Sequence, residues 1–180
     1  MPDRISADSL LAVFARTGFR KASMEDLAQA AGVSRQALYN RFGSKAALAD
    51  WAMTSLLDRS LAGALRSLDN PGATLVARLL AALDAWVGQH MPMLRASPHG
   101  INVAVMVAPE PGEAVRAAER KLVAAMANAI RRGGPGAVVS RAGSMAQALC
   151  WTAKGLVHAA PDHASFRREL DLIVGALLAR

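Results

Sequence analysis

Apolar residues along this chain recur at intervals of three and four, the spacing of one face of an α-helix, and nowhere alternate over the length of a strand. Leu57, Leu61, Ala64, Leu65 and Leu68 make one such stripe, and Leu75, Leu79, Leu83, Trp86 and His90 make a second. The pattern returns in Val115, Ala118, Leu122, Met126 and Ala129, then in Met145, Leu149, Cys150, Ala153 and Val157, and last in Phe166, Leu170, Ile173, Val174 and Leu177. Breaks fall at Gly18, Gly32, Gly43, Asn70-Pro71-Gly72, Pro92, Pro98, Pro109, Gly133-Gly134-Pro135-Gly136 and Pro161. About nine helices are predicted between them. The 39 Ala and 22 Leu, both strong helix formers, agree with an all-α fold.

Helix length then divides the chain. Up to Gly43 the predicted helices are short and separated by single glycines, whereas from Lys45 onward they are longer and joined by Pro/Gly loops. The expected organisation is a small N-terminal domain, residues 1–46, and a larger helical domain, residues 47–180, with the boundary inside a connecting helix.

Composition narrows the classes. With 180 residues and 53% apolar side chains, the chain can fill a sizeable core. Its one cysteine, Cys150, forbids an intrachain disulfide and a four-thiolate metal site, and fits a reducing compartment. The longest charge-free run, Ala96 to Pro109, is 14 residues and contains prolines, short of a membrane span. The N-terminus has no apolar segment before a cleavage site. A soluble, cytoplasmic protein with no membrane partner is expected. The net charge of +7 favours an acidic partner, but residues 1–50 contribute only seven basic against five acidic groups. Position matters more: Ser34 to Ala49 holds three basic residues and no acidic one.

The stretch from Ala22 to Lys45 reads as helix, turn, helix. Ser23 is an N-cap with Asp26 three residues on, a capping-box variant, and Glu25 and Asp26 sit where the helix dipole favours acids. Met24, Leu27, Ala28 and Ala31 form the inner face, Gly32 supplies the left-handed residue that ends the helix, and Val33 plugs the space beneath the turn. Ser34 caps a second short helix in which Leu38 and Phe42 point inward. Arg35, Gln36, Tyr39 and Asn40 are left outside. Arg and Gln pair bidentately with guanine and adenine edges, Tyr and Asn reach phosphate or base, and Lys45 beside the Ser44 cap suits a phosphate.

Ser23-Met-Glu-Asp-Leu-Ala-Gln-Ala-Ala-Gly-Val-Ser34, followed by Ala37-Leu38-Tyr39 and by Phe42, Ser44, Lys45 and Leu48, resembles the DNA-binding domain of the TetR (tetracycline-repressor-like) family. Phe14-Ala15-Arg16-Thr17-Gly18-Phe19 is similar to the end of that family's first helix, so the resemblance covers residues 10–50. It implies an N-terminal three-helix helix-turn-helix domain, a helical ligand-binding and dimerisation domain, and a homodimeric repressor released from a double-stranded DNA operator by a small molecule. It also implies base reading by Arg35, Gln36 and Tyr39, and phosphate contacts from Ser23, Ser34, Tyr39, Asn40 and Lys45. Arg41 either adds a phosphate contact or is a solvated charge. The chain departs from the family's pattern at Ser6 and Ala7, where large apolar residues are usual, so the first turn is expected to fray unless Ile5 substitutes for them. Further departures are Asn40 for a frequent His, Arg41 for a frequent aromatic, and Gly43 at a common Pro site.

Beyond residue 50 only the helix pattern guides the reading. Trp86, His90, Met106, Met126, Trp151 and His158 are candidates to line an apolar pocket for a small apolar or aromatic effector. Helices near Ala142 to Ala159 and Ser165 to Leu178 are expected to form the dimer interface, with Gly143, Ala146, Gly155 and Gly175 allowing close approach. Phe166, Leu170, Ile173 and Leu177 are expected to supply the area. Signals of catalysis are weak: Cys150 and His158 stand about 80° apart on a helix, and His158 and His163 lack partners at metal-ligand spacing. Gly133-Gly134-Pro135-Gly136, expected as a flexible loop, is not followed by the Lys-Ser/Thr of a phosphate loop. No cofactor and no metal are expected. The alternative is a helical enzyme or binding module without sequence-specific DNA binding.

Overall fold

The structure is a computed structural model and describes residues 5–95 and 112–179. It is helical throughout, with no strand among the described residues. In chain order the helices are α1 (Ala7–Thr17), α2 (Met24–Ala31), α3 (Arg35–Phe42), α4 (Lys45–Leu68) and α5 (Leu75–Trp86). A 3-10 turn (Gly88–His90) and α6 (Met91–Arg95) follow, and then α7 (Glu113–Gly133), α8 (Gly136–Val139), α9 (Ala142–Ala159) and α10 (His163–Leu178). No described helix is long and apolar enough to cross a membrane.

The described residues form two compact units, 5–58 with 93–95 and 112–114, and 59–92 with 115–179. The division lies between Asp58 and Arg59, inside α4. In the first unit Leu10, Leu11 and Phe14 of α1, Leu27 of α2, Leu38 of α3 and Leu48 of α4 are essentially fully buried against one another. The first turn of α1 does not fray. Ser6 caps it through a long 3.5 Å bond from the Ser9 N–H, Ala7 is buried, and Ile5 packs on the core as the substitute for the large residues absent at positions 6 and 7.

In the second unit α10 packs on α5 and α9. Leu79 and Leu83 of α5, Leu122 and Met126 of α7, Leu149 and Cys150 of α9, and Phe166 and Leu170 of α10 lie inside. Two glycines are required by space. At Gly88 a Cβ would collide with the Asp84 carboxylate and the Phe166 ring, and at Gly134 with the Ile130 carbonyl oxygen. The Gly88 turn ends α5 at Trp86, so the apolar stripe does not run on to His90. That histidine falls in the 3-10 turn, its Nε2 2.8 Å from the hydroxyl of buried Ser60. Nearby, His163 at the start of α10 reaches Asp84 of α5 at 2.6 Å. The Gly133–Gly136 segment is a tight corner and not a slack loop: the Gly134 N–H bonds to the Ile130 carbonyl at 2.8 Å, and Val138 of α8 is fully buried.

Packing also redistributes the residues expected at a dimer interface. Ala146, Phe166 and Leu170 are buried in the chain's own core, because their faces of α9 and α10 point inward. Trp151 and Leu172 point outward instead, 63% and 69% exposed.

Candidate nucleic-acid interface

The interface is built from α2, its turn and α3. At the start of α2 the Ser23 hydroxyl accepts from the Asp26 N–H at 3.1 Å and donates to Asp26 Oδ2 at 2.6 Å, while the Ser23 N–H donates to Oδ2 at 3.0 Å. This reciprocal capping box holds the Asp26 carboxyl below its ordinary value, through the Ser23 hydroxyl first and the Ser23 backbone second. At the other end Gly32 adopts φ 66° and ψ 30°, and the Val33 N–H closes on the Ala28 carbonyl at 3.1 Å. No atom lies within 4 Å of where a Cβ at Gly32 would stand. Backbone conformation alone, not crowding, demands glycine there.

Three residues after α2 the chain is helical again. Ser34 is extended and accepts the Ala37 N–H at 3.1 Å, which starts α3 at Arg35. Fully buried Leu38 and half-buried Phe42 anchor that helix, and Phe42 lies 5.1 Å from the Trp51 ring of α4. Gly43, at φ 74°, ends it. Proline, fixed near −65°, has no access to that conformation, so the chain leaves α3 differently from a relative with proline there.

Anchoring one face fixes the other. Arg35, Gln36, Tyr39, Asn40 and Arg41 are all exposed. They are also ordered against one another: the Arg35 guanidinium lies 5.5 Å over the Tyr39 ring, and Gln36 Nε2 donates to Asn40 Oδ1 at 2.8 Å. Both pairs have the i, i+4 spacing that brings helix side chains together. Arg41 stacks over Phe42 and Trp51, at 5.3 and 5.4 Å.

Lys45 has partners that the spacing gave no hint of. Its ammonium donates to the carbonyls of Phe19, Arg20 and Ala22 at 2.8, 3.3 and 2.9 Å, and lies 4.9 Å over the Phe19 ring. All three donors are used on the α1–α2 connection. A phosphate at Lys45 would have to displace or share one of these carbonyls, just as one at Ser23 would compete with Asp26.

The residues expected to line an effector pocket differ in exposure. Trp86 and Met126 are buried, His90 is half-buried beside Ser60, and Trp151 and His158 lie on the exposed side of α9. Met106 lies outside the described residues. A surface cleft of about 390 Å³ between α5 and α10 is lined by Leu80, Asp84, Arg167, Arg168, Leu170 and Asp171, and so by none of these six. Cys150 is no better placed for catalysis. Burial first, and the Glu119 carboxylate next, push its thiol up to about 12, so it stays protonated at neutral pH. Glu119 is itself paired with Lys154 at 2.8 Å.

Residues 8–51 match the family model of bacterial regulatory proteins of the tetR family. The N-terminal domain is a TetR-family DNA-binding domain. Solved structures similar to the whole chain carry the same fold beyond that domain. A transcriptional regulator from Rhodococcus sp. Rha1 is 22% identical at TM-score 0.66, over 99% of this chain and 96% of its own. The TetR family regulator PfmR from Thermus thermophilus is 19% identical at TM-score 0.67, over 98% of each chain. FadR from Bacillus subtilis, solved in complex with stearoyl-CoA, is 13% identical at TM-score 0.62, over 96% of each. No curated protein sequence matches. At these identities the likeness establishes a shared fold.

Two predictions follow the geometry of the TetR-type domain. Because the folded Asp26 carboxyl ionises below 3.8, its contribution to stability is present above that pH and is lost as the pH falls through its lowered folded value. Urea midpoints measured between about pH 5 and pH 2 should therefore fall less steeply for Asp26→Ala than for the wild type. Lys45→Met should destabilise the domain by about 1–2 kcal/mol, since three carbonyls lose a charged donor. An unchanged urea midpoint would show that the carbonyl contacts carry no stability.

Proposed function

We propose that the chain is a homodimeric transcriptional repressor that holds a double-stranded operator through α3 and releases it when a small apolar or aromatic effector binds the second unit. The observation that carries the DNA-binding half is the exposed row Arg35, Gln36, Tyr39 and Asn40, mounted on a helix locked by Leu38 and Phe42. In this reading Arg35, Gln36 and Tyr39 meet base edges, and Ser34, Asn40 and Arg41 meet phosphates. Lys45 and Ser23 position the helices and add backbone contacts at the rim.

A helix of eight residues spans few base pairs, so useful specificity requires two copies set about 34 Å apart in successive major grooves. Pairing through α9 and α10 supplies the second copy. Exposed Trp151 and Leu172 support this choice, and so do Gly143, Gly155 and Gly175, where nothing lies within 4 Å of an added Cβ and a second backbone has room to approach. The effector half rests on the apolar interior of the second unit, with Trp86, Met91, Met126 and Met145 inside. The stearoyl-CoA held by FadR, a protein of the same fold, favours a ligand with a long apolar part. The helix α4 runs from one unit into the other, so it is the element through which an effector in the second would alter the first. The cytoplasm, where operator and effector meet, is the expected location.

Three measurements test this reading. The purified chain should select a roughly palindromic duplex, and Arg35→Ala should cost about 1–3 kcal/mol per half-site and relax the preference at one base pair. A library of hydrophobic compounds should contain some that release the duplex. Release only by a divalent cation or a sugar phosphate would contradict the proposed effector. Sedimentation at micromolar concentration should show twice the 18.9 kDa chain mass, and Gly155→Leu should shift it toward 18.9 kDa without loss of helix content. A wild-type chain sedimenting at 18.9 kDa would end the dimer mechanism.

A further inference from the structure

We propose that Asn40 is a positioning residue that restricts Gln36 to adenine, so that the Gln36–Asn40 pair, and not Gln36 alone, sets the base preference at one position of each operator half-site. The inference rests on the DNA-reading role given to α3 above and adds which base is taken and why.

A glutamine amide carries one oxygen acceptor and two N–H donors on a single nitrogen. Left to itself it is permissive in the major groove. Its oxygen and one N–H match the adenine edge, which offers the N6 amino donor and the N7 acceptor. Its two N–H groups can instead be shared between N7 and O6 of guanine, which offers two acceptors. In this chain one of those N–H donors is already taken, because Gln36 Nε2 donates to Asn40 Oδ1 at 2.8 Å along the exposed face of α3. What that bond leaves unused on the Gln36 amide is one acceptor and one donor. That combination satisfies adenine and leaves a guanine acceptor without a partner, and an unpaired polar group in a desolvated contact is disfavoured.

The same bond fixes the amide plane before DNA arrives. A glutamine on a helix surface otherwise samples many rotamers, and ordering it on binding opposes association. The neighbouring pair behaves alike: Arg35 is held at 5.5 Å over the Tyr39 ring, which leaves its donor fork available to guanine. Residues 35 and 39, and residues 36 and 40, thus form two i, i+4 pairs in which the second residue orients the first. Asn40 in its holding role needs only an oxygen acceptor at that place, which gives the test its discriminating variant.

The experiment uses the full chain. A duplex is selected from a random pool, and the position read by Gln36 is identified as the one whose preference collapses in Gln36→Ala. Affinities are then measured for two duplexes that differ only by A·T against G·C at that position, with helix content checked by circular dichroism for each variant. The expected wild-type preference for adenine is about fivefold or more, the lower limit of one bidentate contact. Asn40→Ala should bring the two duplexes to within about twofold. Asn40→Asp should weaken binding to both through its added negative charge yet keep their ratio, since it retains the acceptor. An adenine preference unchanged in Asn40→Ala, or a collapse in Asn40→Asp equal to that in Asn40→Ala, would overturn the inference while leaving sequence-specific DNA binding intact. No selectable duplex at all would overturn both.

Discussion

Everything that the first unit presents outward depends on the three-residue turn between α2 and α3. Gly32 in the left-handed region stops α2, Val33 turns back onto the core, and Ser34 starts α3 with its own hydroxyl. The two helices therefore meet with no slack in which their angle could drift. Because the buried set on α3 is narrow, with Leu38 inside and Phe42 half inside, that angle decides which residues face solvent. A residue other than glycine at position 32 would meet no neighbour, but it would pay the left-handed backbone cost and loosen the link between the two helices.

The turn is braced from a distance. Lys45 at the head of α4 gathers three carbonyls from the α1–α2 connection, and the Phe42–Trp51 contact ties the tail of α3 to the same helix. The beginning of α4 is thereby bound to α1, α2 and α3 together. The second unit is secured differently, by close approaches at Gly88 and Gly134 and by the 2.6 Å His163–Asp84 contact that ties α10 to α5.

Local features of this fold were legible in the sequence, and features that depend on distant partners were not. The Ser23–Asp26 box, the Gly32 stop and the inward Leu38 are each set by residues within four positions of one another. The structure reproduces them because capping and helical periodicity are short-range effects. The i, i+4 spacing of Arg35 with Tyr39 and of Gln36 with Asn40 was equally readable, but it takes on meaning only once that face is known to be exposed. Lys45 carries no such local signal, since its partners lie 23 to 26 residues earlier and are backbone carbonyls that any sequence would offer. Trp151 stands next in sequence to the fully buried Cys150 and yet faces out, so its size was a poor guide to its side of the helix. His90 continued an apolar stripe by count, but α5 ends at Trp86 and the 3-10 turn Gly88–His90 breaks that stripe before it arrives.

The central claim is that α3 enters the major groove, and a chemical probe of that groove tests it most directly. Guanines methylated at N7, which projects into the major groove, should interfere with binding of the full chain at two clusters about one helical turn apart on the selected duplex. Adenines methylated at N3, in the minor groove, should interfere weakly or only at the flanks. Interference confined to the minor-groove positions, with N7 methylation tolerated throughout, would contradict the account.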